Sequence, residues 1–189
     1  MYTYPLSLEI GEDGLNSDLK LKDAKKQVLL RGTQIKDEAL DGKRPYSVYR
    51  TEKGNELAYQ IQYQNQNGIV QYAIDTADGS RLGALAPEKT GKWNILSFGG
   101  LPAGQVYRKN GWRRSCLLAF LPDVFEAIFY LLFPVRYVID LNGRTVLKLS
   151  EKDPTGLGAD GYSVKKVGEF TEMEEGLLVG CAIAAFWPA

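Results

Sequence analysis

No histidine occurs in this chain of 189 residues, and cysteine is scarce at two. Without imidazole there is no Ser-His-Asp or Cys-His activation of a nucleophile, and no metal site that needs a histidine ligand. Two cysteines cannot make a four-cysteine zinc site. Cys116 and Cys181 both stand in apolar runs, where buried reduced thiols are expected. Net charge is also missing, since 23 basic and 23 acidic side chains cancel. A nucleic-acid binder carries a basic excess, so no nucleic-acid partner is expected. The opening "MYTYPLSLEIGEDG" has neither a basic n-region nor an apolar h-region. It is not a signal peptide, and a cytoplasmic location is expected.

What is present is a folding composition. Hydrophobic residues make up 44% and charged residues 24%, and the length fits a single domain over 1–189. Asx-Gly pairs recur at Asp13-Gly14, Asp41-Gly42, Asn67-Gly68, Asp78-Gly79, Asn110-Gly111, Asn142-Gly143 and Asp160-Gly161. Asn and Asp tolerate φ > 0 and Gly has no steric penalty there, so such pairs favour the type I′ turn of a β-hairpin. Between them lie short alternating segments such as "YSVYR", "YAID", "YVID" and "YSVKKV", the pattern of half-buried strands. The pattern predicts strands near 4–10, 19–23, 27–35, 45–51, 56–63, 69–76, 81–87, 93–98, 103–109, 136–141, 145–151 and 162–170.

A loose repeat runs through these strands. "YAIDTADGSRLGAL" and "YVIDLNGRTVLKL" share an aromatic-x-Ile-Asp, a Gly turn and an aliphatic strand. "YSVYRTEKGNELAYQI" keeps the rhythm without the Asp, and "LKLKDAKKQVLL" displaces the Asp by one place. Each unit reads as one hairpin, and no period is strict enough for a solenoid. The C-terminal "TEMEEGLLVGCAIAAFWPA" breaks the β pattern. Thr171 with Glu174 fits a capping box, and Glu172, Glu174 and Glu175 suit a helix N-terminus. From Gly176 to Trp187 no charge appears, so this helix must be buried on every face. About twelve residues span roughly 18 Å, too short for a bilayer core of about 30 Å. The expected architecture is mainly β: a closed antiparallel barrel of about twelve strands around that helix, which removes all sheet edges and fills the lumen.

The "YAIDTADGSRLG" and "RYVIDLNGRTVLKL" hairpins, the terminal "EEGLLVGCAIAAFW" and the "YPLSLEI" start resemble the tubby C-terminal-like superfamily, which includes phospholipid scramblases and LURP-one-related proteins. The resemblance implies a closed twelve-stranded barrel around a hydrophobic C-terminal helix, and membrane-linked roles. The chain departs from the family in several places. A basic phosphoinositide pocket cannot be placed on particular residues. The Pro-rich arm, the Cys-rich palmitoylation run and the calcium-loop motif of scramblases are absent. Fold resemblance licenses an architecture and not an activity.

The remaining oddity is "RRSCLLAFLPDVFEAIFYLLFPVR", residues 113–136. Pro122 suits a first helical position, Asp123 and Glu126 share one face, and Pro134 stops the run, giving an expected inserted helix over 122–132. A Pro and two carboxylates inside the run argue against a spanning helix. Three readings stay open: a helix packed across a barrel mouth, an interfacial helix on a membrane, or an oligomer or protein interface. In the membrane reading, Lys109, Arg113, Arg114 and Arg136 meet anionic headgroups, with Trp112 and Phe133 as apolar anchors.

Other constellations point to structure. "KLKDAKK" reads as a solvated hairpin. Asp75 and Asp140, at matching repeat positions, are expected to cap turns rather than to act as paired acid and base. "GADGYS" and "SFGGLPAG" lack the Lys-Ser/Thr of a phosphate loop and read as loops. Tyr59, Tyr63, Tyr72, Trp93, Tyr107 and Trp112 suit either a ligand surface or sheet packing. No nucleophile–base pair or cofactor motif is legible. The expectation is a non-enzymatic barrel without cofactor, peripheral to an anionic membrane or phospholipid. A protein-interaction scaffold and a carrier of a small apolar ligand are the alternatives. Oligomeric state is not legible.

Overall fold

The computed structural model describes residues 1–13, 16–35, 46–51, 56–66, 69–88, 92–109, 136–152 and 161–186. Twelve strands run in chain order: β1 Leu6–Asp13, β2 Asn16–Lys22, β3 Val28–Ile35, β4 Tyr46–Arg50, β5 Glu56–Gln66, β6 Ile69–Thr76, β7 Arg81–Pro87, β8 Trp93–Ser97, β9 Pro102–Arg108, β10 Arg136–Leu141, β11 Arg144–Glu151 and β12 Gly161–Lys166. Among the described residues one helix, α1, follows at Glu172–Phe186. Each strand pairs antiparallel with its chain neighbours, and β1 closes on β12 with Leu6 opposite Val164. This is the expected closed barrel, and its general architecture matches that of the tubby-like barrels. The expected helix over 122–132 lies outside the described residues.

Alternation sets the two faces. Register places Leu8 beside Leu21 and Leu21 beside Leu30, and Ile139 beside both Val106 and Leu147, all of them buried in one core. The interleaved positions are polar: Glu9, Lys20, Gln60, Gln62, Asn94, Gln105, Lys148 and Lys165. Most apolar residues therefore face inward and most polar ones outward, with Ala73, Ala84, Leu96 and Val138 as outward exceptions, a pattern opposite to that of a lipid-embedded barrel. Among the described residues no helix is long and apolar enough to cross a membrane.

Helix α1 begins with the expected capping box. The Thr171 N–H donates to Glu174 Oε2 at 2.7 Å, and the Glu174 N–H donates back to Thr171 Oγ1 at 3.3 Å. Every residue from Glu175 to Ala184 is buried, which inside a closed barrel places α1 in the lumen. It runs closest to β5, β6 and β7, where small residues permit the approach. A Cβ on Gly180 would stand 2.6 Å from Ile74 Cγ2, and one on Gly83 of β7 would stand 2.8 Å from Leu177 Cδ1. At its C-terminal end Phe186 packs on Tyr137 and Tyr162, with ring centroids 4.6 and 4.4 Å apart. Cys181 is a free buried thiol, and burial pushes its pKa up.

The loose repeat is structural. Five hairpins, β2–β3, β4–β5, β6–β7, β8–β9 and β10–β11, turn at the end where α1 begins. Each carries a bulge just past an inward aliphatic residue: Leu21, Val48, Ile74, Ile95 and Ile139. The extra residue on the returning strand is Leu29, Ala58, Leu82, Ala103 or Val146, and all five pack on the core. A bulge bends its strand and raises the local twist.

Some boundaries and turns differ from expectation. β1 starts two residues later than 4 and runs on to Asp13, because residues 1–5 cross the mouth instead of pairing. β12 ends at Lys166, because the chain then turns toward α1, with Val167 N–H and Gly168 N–H both donating to the Val146 carbonyl. Asn142 and Gly143 both have positive φ, as a type I′ turn requires. At Asp78-Gly79 only Gly79 does, so that turn is a type I turn closed by a left-handed residue.

Candidate functional site

Of the expected site residues, Lys109 and Arg136 fall at the mouth where α1 ends. Arg108 closes β9, Arg136 opens β10, and the Lys109 N–H donates to the Arg136 carbonyl at 2.9 Å. That bond brings Lys109 and Arg136 together at the base of the longest connection in the barrel. Arg108, Lys109 and Arg136 are all exposed, and among the described residues no carboxylate pairs with them. Trp112, Arg113, Arg114 and Phe133 lie outside the described residues.

Beneath this rim is an aromatic collar. Tyr63, Tyr72 and Trp93 contact in sequence at 5.8 and 5.9 Å between ring centroids, and Tyr137, Tyr162 and Phe186 form a second group. Tyr63, Tyr72 and Trp93 belong to or pack against the core, so they are sheet packing rather than a ligand surface. Burial, and then the neighbouring Tyr63, pushes the Tyr72 hydroxyl pKa up.

The opposite mouth holds a cleft of about 1020 Å³ whose walls include Tyr2, Arg50, Tyr59, Leu82, Met173 and Glu175. Glu175 is buried, and both its carboxylate oxygens accept the Tyr2 N–H, at 3.1 and 3.0 Å. Burial, followed by Tyr59, pushes the Tyr2 hydroxyl up, and burial followed by Glu175 does the same to Tyr4. Among the described residues the Tyr4 hydroxyl nonetheless has no hydrogen-bond partner. Glu175 is thus a strut that pins the N-terminal segment across the mouth. Its acidic neighbours marked a helix start in the sequence, but its long-range bond to Tyr2 had no sequence signal.

Asp75 and Asp140 are the expected turn caps, and the structure corrects that role. Asp75 is buried and ion-paired to Arg81 across the β6–β7 bulge. Asp140 accepts the Tyr107 hydroxyl at 3.0 Å and Thr145 Oγ1 at 2.8 Å. Each spends its charge on cross-strand partners at matching bulges, because the bulge turns the outward side chain toward the neighbouring strand rather than toward the turn. The "KLKDAKK" hairpin is as expected, with Asp23 Oδ1 accepting the N–H of Lys25 at 2.9 Å and of Gln27 at 2.8 Å.

Compared with family models, curated proteins and solved structures, the chain matches none of them.

Proposed function

We propose that this protein is a non-enzymatic barrel of tubby-like type that associates peripherally with membranes, from the cytoplasmic side, by binding anionic phospholipid headgroups. The observation that carries the proposal is the exposed cationic rim formed by Arg108, Lys109 and Arg136 over the aromatic collar. The connection anchored there adds Arg113 and Arg114 as cations and Trp112 and Phe133 as apolar anchors. Each cation near an anionic surface is worth about 1 kcal/mol and is screened by salt. The filled lumen supports a surface role, because a carrier of a small apolar ligand needs a space that α1 already takes.

The test is co-sedimentation with neutral and anionic liposomes at low and high salt, for the wild type and for the Arg113→Glu/Arg114→Glu variant. Stronger pelleting of the wild type with anionic than with neutral vesicles, with that excess lost in high salt and in the variant, supports headgroup docking at this rim. If anionic vesicles pellet the wild type no better than neutral ones at low salt, headgroup docking is wrong and the rim is a protein interface or packed surface.

A further inference from the structure

Three turns at the mouth where α1 begins share one backbone geometry. In Asp23–Gln27, Thr76–Ser80 and Ser97–Leu101 the first N–H donates to the last carbonyl, at 3.0, 2.9 and 2.8 Å. The fourth residue donates back to the first carbonyl, at 3.0, 3.0 and 2.9 Å, and it is left-handed in each: Lys26, Gly79 and Gly100. The turns can therefore be compared position by position inside one molecule.

In that comparison the β8–β9 turn stands apart. Phe98 occupies the place of Ala24 and Ala77, and Leu101 the place of Gln27 and Ser80. The flanking pair is Leu96 with Pro102, where the other two turns have Lys22 with Val28 and Asp75 with Arg81. Phe98 is 78% exposed and Leu101 70% exposed. A Cβ on Gly99 or Gly100, between them, would meet none of the described residues within 4 Å, so the tip projects away from them. The fold builds the same turn twice with small or polar residues, so these apolar side chains are not needed to make it. The other exposed large apolar side chains among the described residues, Met1, Val167 and Met173, belong to segments at the same mouth.

We propose that the Phe98–Leu101 tip inserts into the interfacial region of a lipid bilayer. The inference rests on the membrane association proposed above and adds a second contact, on the opposite rim. Lipid is favoured over a protein partner by shape and charge. A stable protein interface buries about 800 Å² per partner over a broad surface, whereas this is a narrow tip dominated by two side chains. No carboxylate occurs from Lys92 to Lys109, the span of both strands and the tip, so no acid is carried into the interface. Elsewhere on this rim Asp78, Glu169, Glu172 and Glu174 are set against the exposed cations Lys25, Lys26, Arg81 and Arg144, so the contact is apolar, indifferent to headgroup charge and resistant to salt. The two rims lie at opposite ends of a 15-residue helix, about 22 Å apart, so a flat bilayer reaches one of them at a time.

The test compares sedimentation with phosphatidylcholine vesicles and with phosphatidylcholine–phosphatidylserine vesicles, at low and high salt. The tip variant is Phe98→Ala/Leu101→Ser, which copies the residues the same turn carries at Ala77 and Ser80 and so leaves folding intact. The expected result is a salt-resistant partition of the wild type on both vesicles. It falls about tenfold or more in the tip variant and is unchanged by Arg113→Glu/Arg114→Glu. Unchanged partition of the tip variant overturns the inference, as does a wild type with no salt-resistant component. Loss of only the salt-sensitive component in the arginine variant leaves the tip inference standing and bears on the cationic rim alone. A salt-resistant component without a salt-sensitive one supports the tip and refutes the cationic rim.

Discussion

Gly176 and Gly180 lie one turn apart on α1, and the structure gives their replacement by alanine opposite signs. In a helix interior glycine is less favourable than alanine by about 0.5–1 kcal/mol, so both changes start with that gain. At Gly176 the new Cβ meets Leu82 Cδ1 at 3.4 Å and Tyr59 Cε1 at 3.6 Å, ordinary van der Waals contact, and the gain is kept. At Gly180 it meets Ile74 Cγ2 at 2.6 Å. That methyl sits on a β-branched carbon, stiff at χ1, in a residue with no exposed surface, and cannot swing away. Overpacking of a filled core costs about 1–3 kcal/mol or more, which outweighs the helical gain. Gly180→Ala should therefore lose about 1–2 kcal/mol.

Urea unfolding followed by far-UV circular dichroism reads the difference. With a denaturant slope of about 2 kcal/mol/M, the midpoint should drop by about 0.5–1 M for Gly180→Ala and rise by about 0.3–0.5 M for Gly176→Ala. Ile74→Ala alone should cost about 2–5 kcal/mol. In that background the cavity accepts the Cβ, so adding Gly180→Ala should restore stability, a coupling of about 1 kcal/mol or more. A Gly180→Ala protein as stable as Gly176→Ala, or one indifferent to the Ile74 background, would refute the close seating of α1 on β6.

Two further predictions concern the outer wall. Lys26 is left-handed, with φ 64°, where the two matching turns carry Gly79 and Gly100, so Lys26→Gly should stabilise by about 0.5–1 kcal/mol and raise the urea midpoint. Burial alone would raise the Glu9 carboxyl pKa, but the Lys22 ammonium at 2.5 Å, Lys152 at 3.7 Å and Ser7 together hold it below its ordinary value. A depressed carboxylate contributes stability that is present above the unfolded value, about 4.3, and lost as pH falls through the folded one. The wild type should therefore exceed Glu9→Gln in stability at pH 7 and lose that advantage below about pH 4. Urea midpoints measured from pH 7 to pH 3 check it, and a gap that stays constant across the range would count against the ion pair.

The barrel was legible because its signals are local. Period-2 alternation places all twelve strands to within a few residues, and the capping box with a charge-free run places α1 in a lumen; of the Asx-Gly pairs, only Asn142-Gly143 forms the expected type I′ turn among the described residues. The rest depends on residues distant in sequence. Leu21, Val48, Ile74 and Ile139 mark units whose outward partner is Lys22, Tyr49, Asp75 or Asp140, and the Ile-Asp rhythm of two of them made the repeat visible. The fifth unit, Ile95 with Leu96, carries the same bulge but lacks the Ile-Asp rhythm, because its outward residue and its tip are apolar. Its sequence, "SFGGLPAG", read only as a glycine-rich loop. Once the register aligns Ser97–Leu101 with Asp23–Gln27 and Thr76–Ser80, the departure of Phe98 and Leu101 from the other two turns becomes measurable. An internal repeat supplies its own control, since residues that differ where the backbone is identical are not explained by the backbone. The bond from Tyr2 to Glu175 had no such control and no local signal, because it joins the two ends of the chain through the closed barrel.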